Sequence, residues 1–154
     1  MINLTIAKME QEHVDDVAEL ERICFSTPWT KENLQDALEY DTSYFFVALE
    51  DEKVIGYVGV SVISDSCFIN NIAVYPEYRR QGVGKALMKI AILTADAMGT
   101  GFISLEVRES NYAAQNLYRK LGFEVMGLRK DFYRHPKEHA LIMTKNFSKE
   151  GLNI

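Results

Sequence analysis

The sequence predicts a mixed α and β fold of seven strands and four helices, and two patterns carry that prediction. Residues 44–49, 54–63 and 67–74 are strand-like segments joined by short polar turns, which is typical of an antiparallel meander. The last of them is followed by a helical segment at 82–98 and a strand at 102–107. A strand–helix–strand unit places two parallel strands side by side, so we expect both kinds of pairing in one domain.

The N-terminal part predicts a strand and two helices. Residues 3–8 alternate apolar and polar side chains, as a strand does. Residues 11–23 carry apolar side chains with acidic residues between them, which indicates an amphipathic helix. A loop at 24–29 follows, and Thr30 has the position of an N-cap before a second, short helix.

The C-terminal part alternates between helical and strand periods. Apolar residues in 82–98 recur at the i, i+3, i+4, i+7 spacing of a helix, and glycines end it. Residues 111–121 repeat this spacing, and Gly122 ends the helix. Two strands at about 123–133 and 139–146 complete the order β-α-α-β-β-β-α-β-α-β-β.

Size and composition indicate one soluble domain. The 154 residues are 47% hydrophobic and 25% charged, as in ordinary globular proteins. We find no internal repeat, low-complexity tract or linker-like segment. We therefore predict a single domain at 1–147 with a C-terminal tail at 148–154.

Targeting signals and metal-binding patterns are not recognisable in the sequence. No apolar run approaches the roughly 20 residues that cross a bilayer, and the N-terminus does not resemble a signal peptide. Cys24 and Cys67 lack metal-ligand spacing and are typical of reduced thiols. We expect a cytoplasmic protein with no metal and no membrane association, and the oligomeric state stays open.

The charge distribution points to an anionic ligand at one place. A net charge of −5 argues against sequence-independent nucleic-acid binding, which needs a basic face. A local basic cluster nevertheless exists at Arg79, Arg80, Lys85 and Lys89. Any anionic ligand is therefore expected at this cluster.

The segment 79–85 lies between a strand and a long helix and contains Gly82 and Gly84. The first N–H groups of a helix lack internal acceptors, and glycines let a diphosphate approach them closely. The alternative is a tight turn that uses glycine for its shape alone. A Walker loop is excluded because Lys85 is not followed by Ser or Thr, and Leu87 stands where the Rossmann fingerprint needs glycine.

Two side chains are candidates for acid–base chemistry. Glu106 stands near the end of a mostly apolar strand, where a carboxylate either finds partners or has its pKa raised towards that of a general base. The alternative is a strand-end Glu paired with Arg108 or a lysine. Tyr118 lies on the apolar face of its helix, either as a hydrogen-bonded core tyrosine or as a general acid.

The pattern Arg79-x-x-Gly82-x-Gly84, with the predicted element order, resembles the GNAT acetyltransferase superfamily over essentially the whole chain. The resemblance implies a central mixed sheet whose strands at 67–74 and 102–107 splay apart around acetyl-CoA. It implies that the following residues bind this co-substrate: Ile72, Ala73, Val74, Arg79, Arg80, Gln81, Gly82, Val83, Gly84, Lys85, Asn111 and Tyr118.

The run from Leu105 to Phe123 is similar to one branch of that family, the RimI-type ribosomal-protein-alanine N-acetyltransferases. This likeness implies that Glu106 is the proton acceptor, Tyr118 the proton donor and Asn111 a cofactor contact as well as an N-cap. It implies that the substrate is bound by Phe25, Pro28, Trp29 and Tyr133. Phe132-Tyr133 replaces paired tyrosines and Glu138-His139-Ala140 replaces Glu-Asp-Ala, so the likeness is looser near the acceptor.

The resemblance implies transfer of an acetyl group from acetyl-CoA to the N-terminal alanine of a small-subunit ribosomal protein, by direct attack in a ternary complex. Three alternatives stay open: a small-molecule amine, a lysine side chain, or an acyl-CoA-binding regulatory module without turnover. Cys24 and the three histidines receive no role.

Overall fold

The structure is a computed structural model, and it describes residues 3–147. Within them the elements follow the predicted order, with an added 3₁₀ turn at Gln11–His13 and another at Pro76–Tyr78. The strands are β1 (Leu4–Lys8), β2 (Ser43–Glu50), β3 (Lys53–Ile63), β4 (Ser66–Val74), β5 (Phe102–Arg108), β6 (Glu124–Arg134) and β7 (Lys137–Asn146). The helices are α1 (Val14–Cys24), α2 (Lys31–Leu38), α3 (Val83–Ala97) and α4 (Tyr112–Lys120). The predicted tail at 148–154 lies outside the described residues.

The strands form a mixed seven-stranded sheet in the order β1-β2-β3-β4-β5-β7-β6. β1 pairs with β2, and β2 with β3, in antiparallel register, while β4 and β5 are parallel. The parallel pairs run from Ser66 opposite Phe102 to Phe68 opposite Ser104, at the start of each strand. This confirms the mixed sheet and the parallel pair; the splaying of the two strands stays a prediction.

The last hairpin, formed by β6 and β7, pairs with the rest of the sheet through its second strand, β7. β7 pairs with β5 along the whole length of β5, from Phe102 opposite Asn146 to Arg108 opposite Ala140, and β6 is the outer strand. Either strand of a hairpin can continue a sheet, so the sequence pattern alone does not choose between them. This arrangement makes β6 the neighbour of β7 and determines which side chains can reach β5.

The contacts divide the chain into two compact units. Among the described residues, the first comprises residues 3–61 together with Asn70–Leu93, and the second comprises Val62–Ile69 together with residues 94–147. The prediction of one domain at 1–147 stays a prediction. Among the residues that the structure describes, no helix is long and apolar enough to span a membrane.

The first unit is built on apolar side chains of α1, α2 and the meander. Its buried core consists of Met9, Val14, Val17, Leu20, Leu34, Ala37, Phe45, Val47, Val54, Tyr57 and Ala73. The predicted N-cap of α2 is confirmed, since the Thr30 side chain accepts a hydrogen bond from the Asn33 N–H at 3.1 Å. The Asn33 side chain in turn accepts one from the Thr30 N–H, and this reciprocal pair closes the end of the loop before α2.

The second unit contains the helix α4 and the strands β5, β6 and β7. Its buried apolar side chains include Ile103, Leu105, Val107, Tyr118, Phe123, Ala140 and Met143. Asn111 caps α4 by accepting a hydrogen bond from the Ala114 N–H at 3.2 Å, as predicted. Gly122, at φ +98°, takes the left-handed conformation that ends the helix. The cap and the glycine thus hold the helix that carries Tyr118.

Candidate active site

The turn before α3 presents the start of a helix to solvent. Gly82 has φ +85°, and the first hydrogen bond of the helix runs from the Ala86 N–H to the Gly82 carbonyl at 3.0 Å. The N–H groups of Val83 to Lys85 come before the first intrahelical donor and so have no acceptor within the helix. A Cβ at Gly82 would meet no atom within 4 Å, so the backbone conformation, rather than crowding by protein atoms, favours glycine here.

The charged side chains of this turn divide into two kinds. The Arg79 Nε donates to the Val74 carbonyl at 3.1 Å and so folds back onto the end of β4. Arg80 and Lys85 are exposed. Gln81 donates to the Glu77 carbonyl at 3.1 Å. The exposed cations beside free helical N–H groups suit an anionic group such as a diphosphate.

The end of β4 is held from several sides. The Val74 carbonyl also accepts from the Cys24 thiol at 3.6 Å, which ties it to the end of α1. The Ala73 carbonyl lies so close to β3 that a Cβ at Gly56 would approach it to 2.9 Å. Ile72 and Val74 are half-buried, and Ala73 is buried. This backbone is therefore a rigid feature of the first unit.

Glu106 forms an ion pair with a residue distant in the chain. Its Oε2 lies 2.8 Å from the Arg129 Nε of β6, and its side chain is 31% exposed. Arg108 instead pairs with Glu138 at 3.1 Å. The alternative that Glu106 pairs with Arg108 or with a lysine is therefore wrong about the partner, although Glu106 does pair with a cation. The carboxylate keeps access to solvent.

Two tyrosines accompany Glu106 in the second unit. Tyr118 is buried and packs against Phe123 with ring centroids 6.0 Å apart. Burial, with the nearby phenol of Tyr133, raises the pKa of Tyr118 to about 12. Burial, with the negative charge of Glu106, raises the pKa of Tyr133 to about 12. The interactions link Glu106, Tyr133 and Tyr118, and both phenols hold their protons at neutral pH.

Arg108 braces the hairpin that carries Tyr133. Its guanidinium stacks on the Tyr133 ring at 4.2 Å and donates to the carbonyls of His135 and Pro136. Its partner Glu138 also accepts from the Ser110 N–H at 2.5 Å. Sequence analysis missed both these contacts of Arg108 and the ion pair of Arg129, because each joins segments that are far apart in the chain.

The other predicted substrate residues lie in the first unit. Phe25 is 38% exposed, while Pro28 and Trp29 are half-buried. The Trp29 ring meets Phe45 edge-on at 6.4 Å. A depression of about 380 Å³ is lined by Trp29, Asn33, Asp36, Ala37 and Tyr40. The Trp29 N–H donates to the buried carboxylate of Glu21, a residue that sequence analysis missed.

The cysteines and the histidines have no role predicted from the sequence. Cys24 and Cys67 are free thiols. The Nδ1 atoms of His13 and His139 accept backbone N–H groups. Among residues 3–147, no group of three or more potential ligands could hold a metal ion.

Comparisons with known proteins bear on the family of this chain. Residues 14–123 match the family model described as the Acetyltransferase (GNAT) family. The chain is 38% identical over 139 residues to a Bacillus subtilis protein provisionally named a [ribosomal protein bS18]-alanine N-acetyltransferase; the match covers 90% of this chain and 92% of that protein.

Two further comparisons concern Escherichia coli. The chain is 32% identical over 142 residues to the [ribosomal protein bS18]-alanine N-acetyltransferase of strain K12, covering 90% of this chain and 95% of that protein. The crystal structure of the ribosomal-protein-S18-alanine N-acetyltransferase from Escherichia coli superposes with a TM-score of 0.88 at 30% identity and covers 98% of both chains.

Proposed function

Because this chain belongs to the GNAT acetyltransferase family, we propose that it transfers the acetyl group of acetyl-CoA to the α-amine of a protein N-terminus. The acceptor in this proposal is the N-terminal alanine of a small-subunit ribosomal protein, of the kind named for its bacterial relatives. The free thiols and this acceptor suit a reaction in the cytoplasm.

In this proposal, acetyl-CoA is a co-substrate whose diphosphate is bound by the turn at 79–85. The N–H groups that open α3 donate to the phosphate oxygens, and Arg80 and Lys85 supply positive charge. Arg79 acts differently, because its Nε already donates to the Val74 carbonyl. We assign it to holding the backbone of 72–74, which hydrogen-bonds the pantetheine arm and the thioester. Asn111 contributes a contact through its exposed cap.

The chemical step is a direct acyl transfer. Glu106, directly or through a water molecule, removes a proton from the α-ammonium group, and the amine nitrogen attacks the thioester carbonyl carbon. A backbone N–H near Val74 stabilises the developing oxyanion. The C–S bond then breaks, Tyr118 gives its proton to the departing sulfur, and the second proton of the attacking nitrogen passes through water to the Tyr118 phenolate. Glu106 releases the proton it has taken to solvent. The products are the acetylated N-terminus and coenzyme A.

The observation that carries this assignment is the group formed by Glu106, Tyr118 and Tyr133. It combines a carboxylate with solvent access and a buried phenol that stays protonated, since the pKa of Tyr118 is raised to about 12. A proton donor must be protonated at the pH of the reaction, and Tyr118 meets that requirement. Phe25, Pro28, Trp29 and Tyr133 are assigned to the acceptor peptide.

The test uses purified protein, acetyl-CoA and a peptide that begins with alanine and contains one internal lysine. A matched control peptide has the same sequence with a formylated N-terminus. We expect release of coenzyme A and one acetyl group on the α-amine of the first peptide, mapped by mass spectrometry. The formylated peptide should release coenzyme A no faster than the buffer blank.

Other outcomes would replace the proposal. Acetylation of the lysine in both peptides would identify a lysine acetyltransferase. Turnover with polyamines or aminoglycosides, but with neither peptide, would identify a small-amine acetyltransferase. Tight acetyl-CoA binding without release of coenzyme A to any amine would identify a binding module.

A further inference from the structure

The first unit contains a buried carboxylate that the proposed chemistry does not use. Glu21, in α1, is 1% exposed. Its Oε1 accepts a hydrogen bond from the Trp29 N–H at 2.8 Å. Its Oε2 accepts from the Tyr57 hydroxyl at 2.5 Å and from the Asn71 side-chain amide at 3.0 Å. One side chain thus links a helix, a loop and two strands.

The partners of Glu21 are hydrogen-bond donors without charge. Burial raises the pKa of Glu21, and the hydrogen bonds from Tyr57, Trp29 and Asn71 lower it again in part. A buried carboxylate is costly unless its oxygens are hydrogen-bonded, and an apolar side chain would fill this core without that cost. What the carboxylate adds is direction, because each oxygen receives donors from defined positions.

These bonds fix both ends of the loop at 25–29. The Phe25 N–H donates to the Glu21 carbonyl at 2.9 Å, where α1 ends. The Trp29 N–H donates to the side chain of the same residue, and the capping pair of Thr30 and Asn33 follows immediately. Phe25 and Trp29, both assigned to the acceptor peptide, are therefore held by two groups of Glu21.

β4 keeps other hydrogen bonds if the Glu21 carboxylate is removed, whereas the Trp29 N–H of the loop depends on that carboxylate for its acceptor. The Asn71 amide also donates to the Tyr57 hydroxyl at 3.0 Å, so this strand keeps a partner if the carboxylate is removed. The end of β4 is further held through Val74 by Cys24 and Arg79. Loss of the carboxylate should therefore affect the loop more than the backbone assigned to acetyl-CoA.

We propose that Glu21 is a positioning residue, whose carboxylate fixes the loop at 25–29 in the conformation that receives the acceptor N-terminus. This inference rests on the proposed function. Glu21 neither touches the reacting atoms nor moves a proton. Its contribution is to the affinity for the acceptor, through the orientation of Phe25 and Trp29.

The decisive variant is Glu21→Gln, which preserves shape but replaces one acceptor oxygen with an amide donor. The glutamine oxygen keeps the most hydrogen bonds when it accepts from Tyr57 and Asn71, so the NH₂ faces the Trp29 N–H and that hydrogen bond is replaced by a donor–donor contact. The matched control is Glu19→Gln, which removes an exposed carboxylate from the same helix, where it pairs with Arg22. Glu21→Asp restores the charge on a shorter side chain.

The readout is the Michaelis constant for each substrate. For Glu21→Gln we expect the KM for an alanine-led peptide to rise about tenfold, the effect of losing a hydrogen bond to a charged group. The KM for acetyl-CoA should stay within about twofold. Glu21→Asp should recover part of the peptide KM, and Glu19→Gln should match the wild type. An unchanged peptide KM, or equal rises in both constants, would overturn the proposal.

A second measurement separates this inference from the proposed function. In ¹⁵N-labelled wild-type protein, hydrogen exchange at the Trp29 amide should be slow, because its N–H donates to a buried carboxylate. In Glu21→Gln the exchange of Trp29 should accelerate at least tenfold while that of β3 amides does not. If the wild type acetylates no peptide, the proposed function fails, whereas unaltered Trp29 exchange overturns the role of Glu21. If Glu21→Gln does not fold, both measurements are made on Glu21→Asp and Tyr57→Phe.

Discussion

Glu21 in the first unit and Glu106 in the second are both carboxylates with polar partners, but their environments differ in burial and in charge. Glu21 in the first unit is 1% exposed and accepts three hydrogen bonds from uncharged donors. Glu106 in the second unit is 31% exposed and pairs with the partly exposed guanidinium of Arg129. An enclosed carboxylate with neutral donors fixes geometry, whereas one with solvent access can exchange protons and contact a substrate.

The two phenols next to these carboxylates show the same contrast. Tyr57 donates to Glu21 and is fully buried, and the pKa of Tyr57 is well above its ordinary value because of burial and the charge of Glu21. Tyr118 is also buried, but besides burial it is the phenol of Tyr133, not a carboxylate, that raises its pKa. The Tyr57 proton is engaged within a closed network, whereas Tyr133, the neighbour of Tyr118, feels the charge of Glu106, a carboxylate with access to solvent. This difference leads to five predictions.

The largest effect is expected from Glu106→Gln. A glutamine cannot accept the amine proton, so kcat should fall by roughly 10² to 10⁴. Affinity for acetyl-CoA should be unchanged in calorimetry, because the turn at 79–85 is intact. The matched control is Glu109→Gln, which neutralises an exposed carboxylate just after the same strand. A wild-type kcat in Glu106→Gln would remove this residue from the chemistry.

Tyr118→Phe should have a smaller effect on kcat, about a hundredfold. A thiolate can leave without first being protonated, whereas an ammonium nitrogen cannot attack until it has lost a proton, so the reaction depends less on Tyr118 than on Glu106. Steady-state kinetics with an alanine-led peptide measure the difference. Tyr112→Phe, on the exposed face of the same helix, is the control and should behave as the wild type. A larger loss in Tyr118→Phe than in Glu106→Gln would reverse the proposed order.

The same variant tests the raised pKa of Tyr118 through stability. Because the pKa of Tyr118 is about 12 in the folded protein, above the ordinary value of 10, the folded state holds the proton more tightly. Its contribution is complete below pH 10 and is lost as pH rises through about 12, a change of at most ~3 kcal/mol. Urea unfolding from pH 9 to 11.5 should therefore show a smaller decline for Tyr118→Phe than for the wild type or Tyr112→Phe. Parallel declines would contradict this linkage.

Features that depend on residues close together in the chain could be predicted from the sequence. The N-cap positions of Thr30 and Asn111 and the end of α4 at Gly122 follow from short-range chemistry, and all three are confirmed. Glu106 stands out in the sequence as a carboxylate in a mostly apolar strand, whereas a tyrosine on an apolar helix face is common, and only the family resemblance singles out Tyr118. Their roles stay predictions.

The partners of these residues could not be predicted because they come from distant strands. Arg129 reaches Glu106 only because β7 lies between β5 and β6, an order that the pattern of a hairpin leaves open. Arg108, the nearest cation in sequence, is already bound to Glu138. Glu21 carried a signal that was overlooked: it follows Val17 by one helical turn and so lies on the apolar face of α1, where a charged residue needs partners.

Tyr57→Phe should lower the free energy of unfolding by about 2 kcal/mol. The substitution removes a short hydrogen bond to a buried carboxylate and leaves that oxygen with only the Asn71 donor. Chemical denaturation measures the change. Tyr40→Phe, which alters an exposed phenol, serves as the control. A loss below about 0.5 kcal/mol would mean that the closed network contributes little to stability.

The smallest stability change is expected for Arg129→Gln, although this variant breaks an ion pair. The pair is partly exposed, so the free energy of unfolding should change by less than about 1 kcal/mol. The kcat should nevertheless fall several-fold, because Glu106 loses the group that orients its carboxylate. Lys130→Gln, which removes the adjacent exposed cation, should leave both quantities unchanged. Arg129→Lys should recover only part of the kcat, since an ammonium group lacks the planar fork of a guanidinium. A stability loss as large as that of Tyr57→Phe would mean that Glu106, like Glu21, belongs to a closed structural network, and the contrast between the two carboxylates would no longer hold.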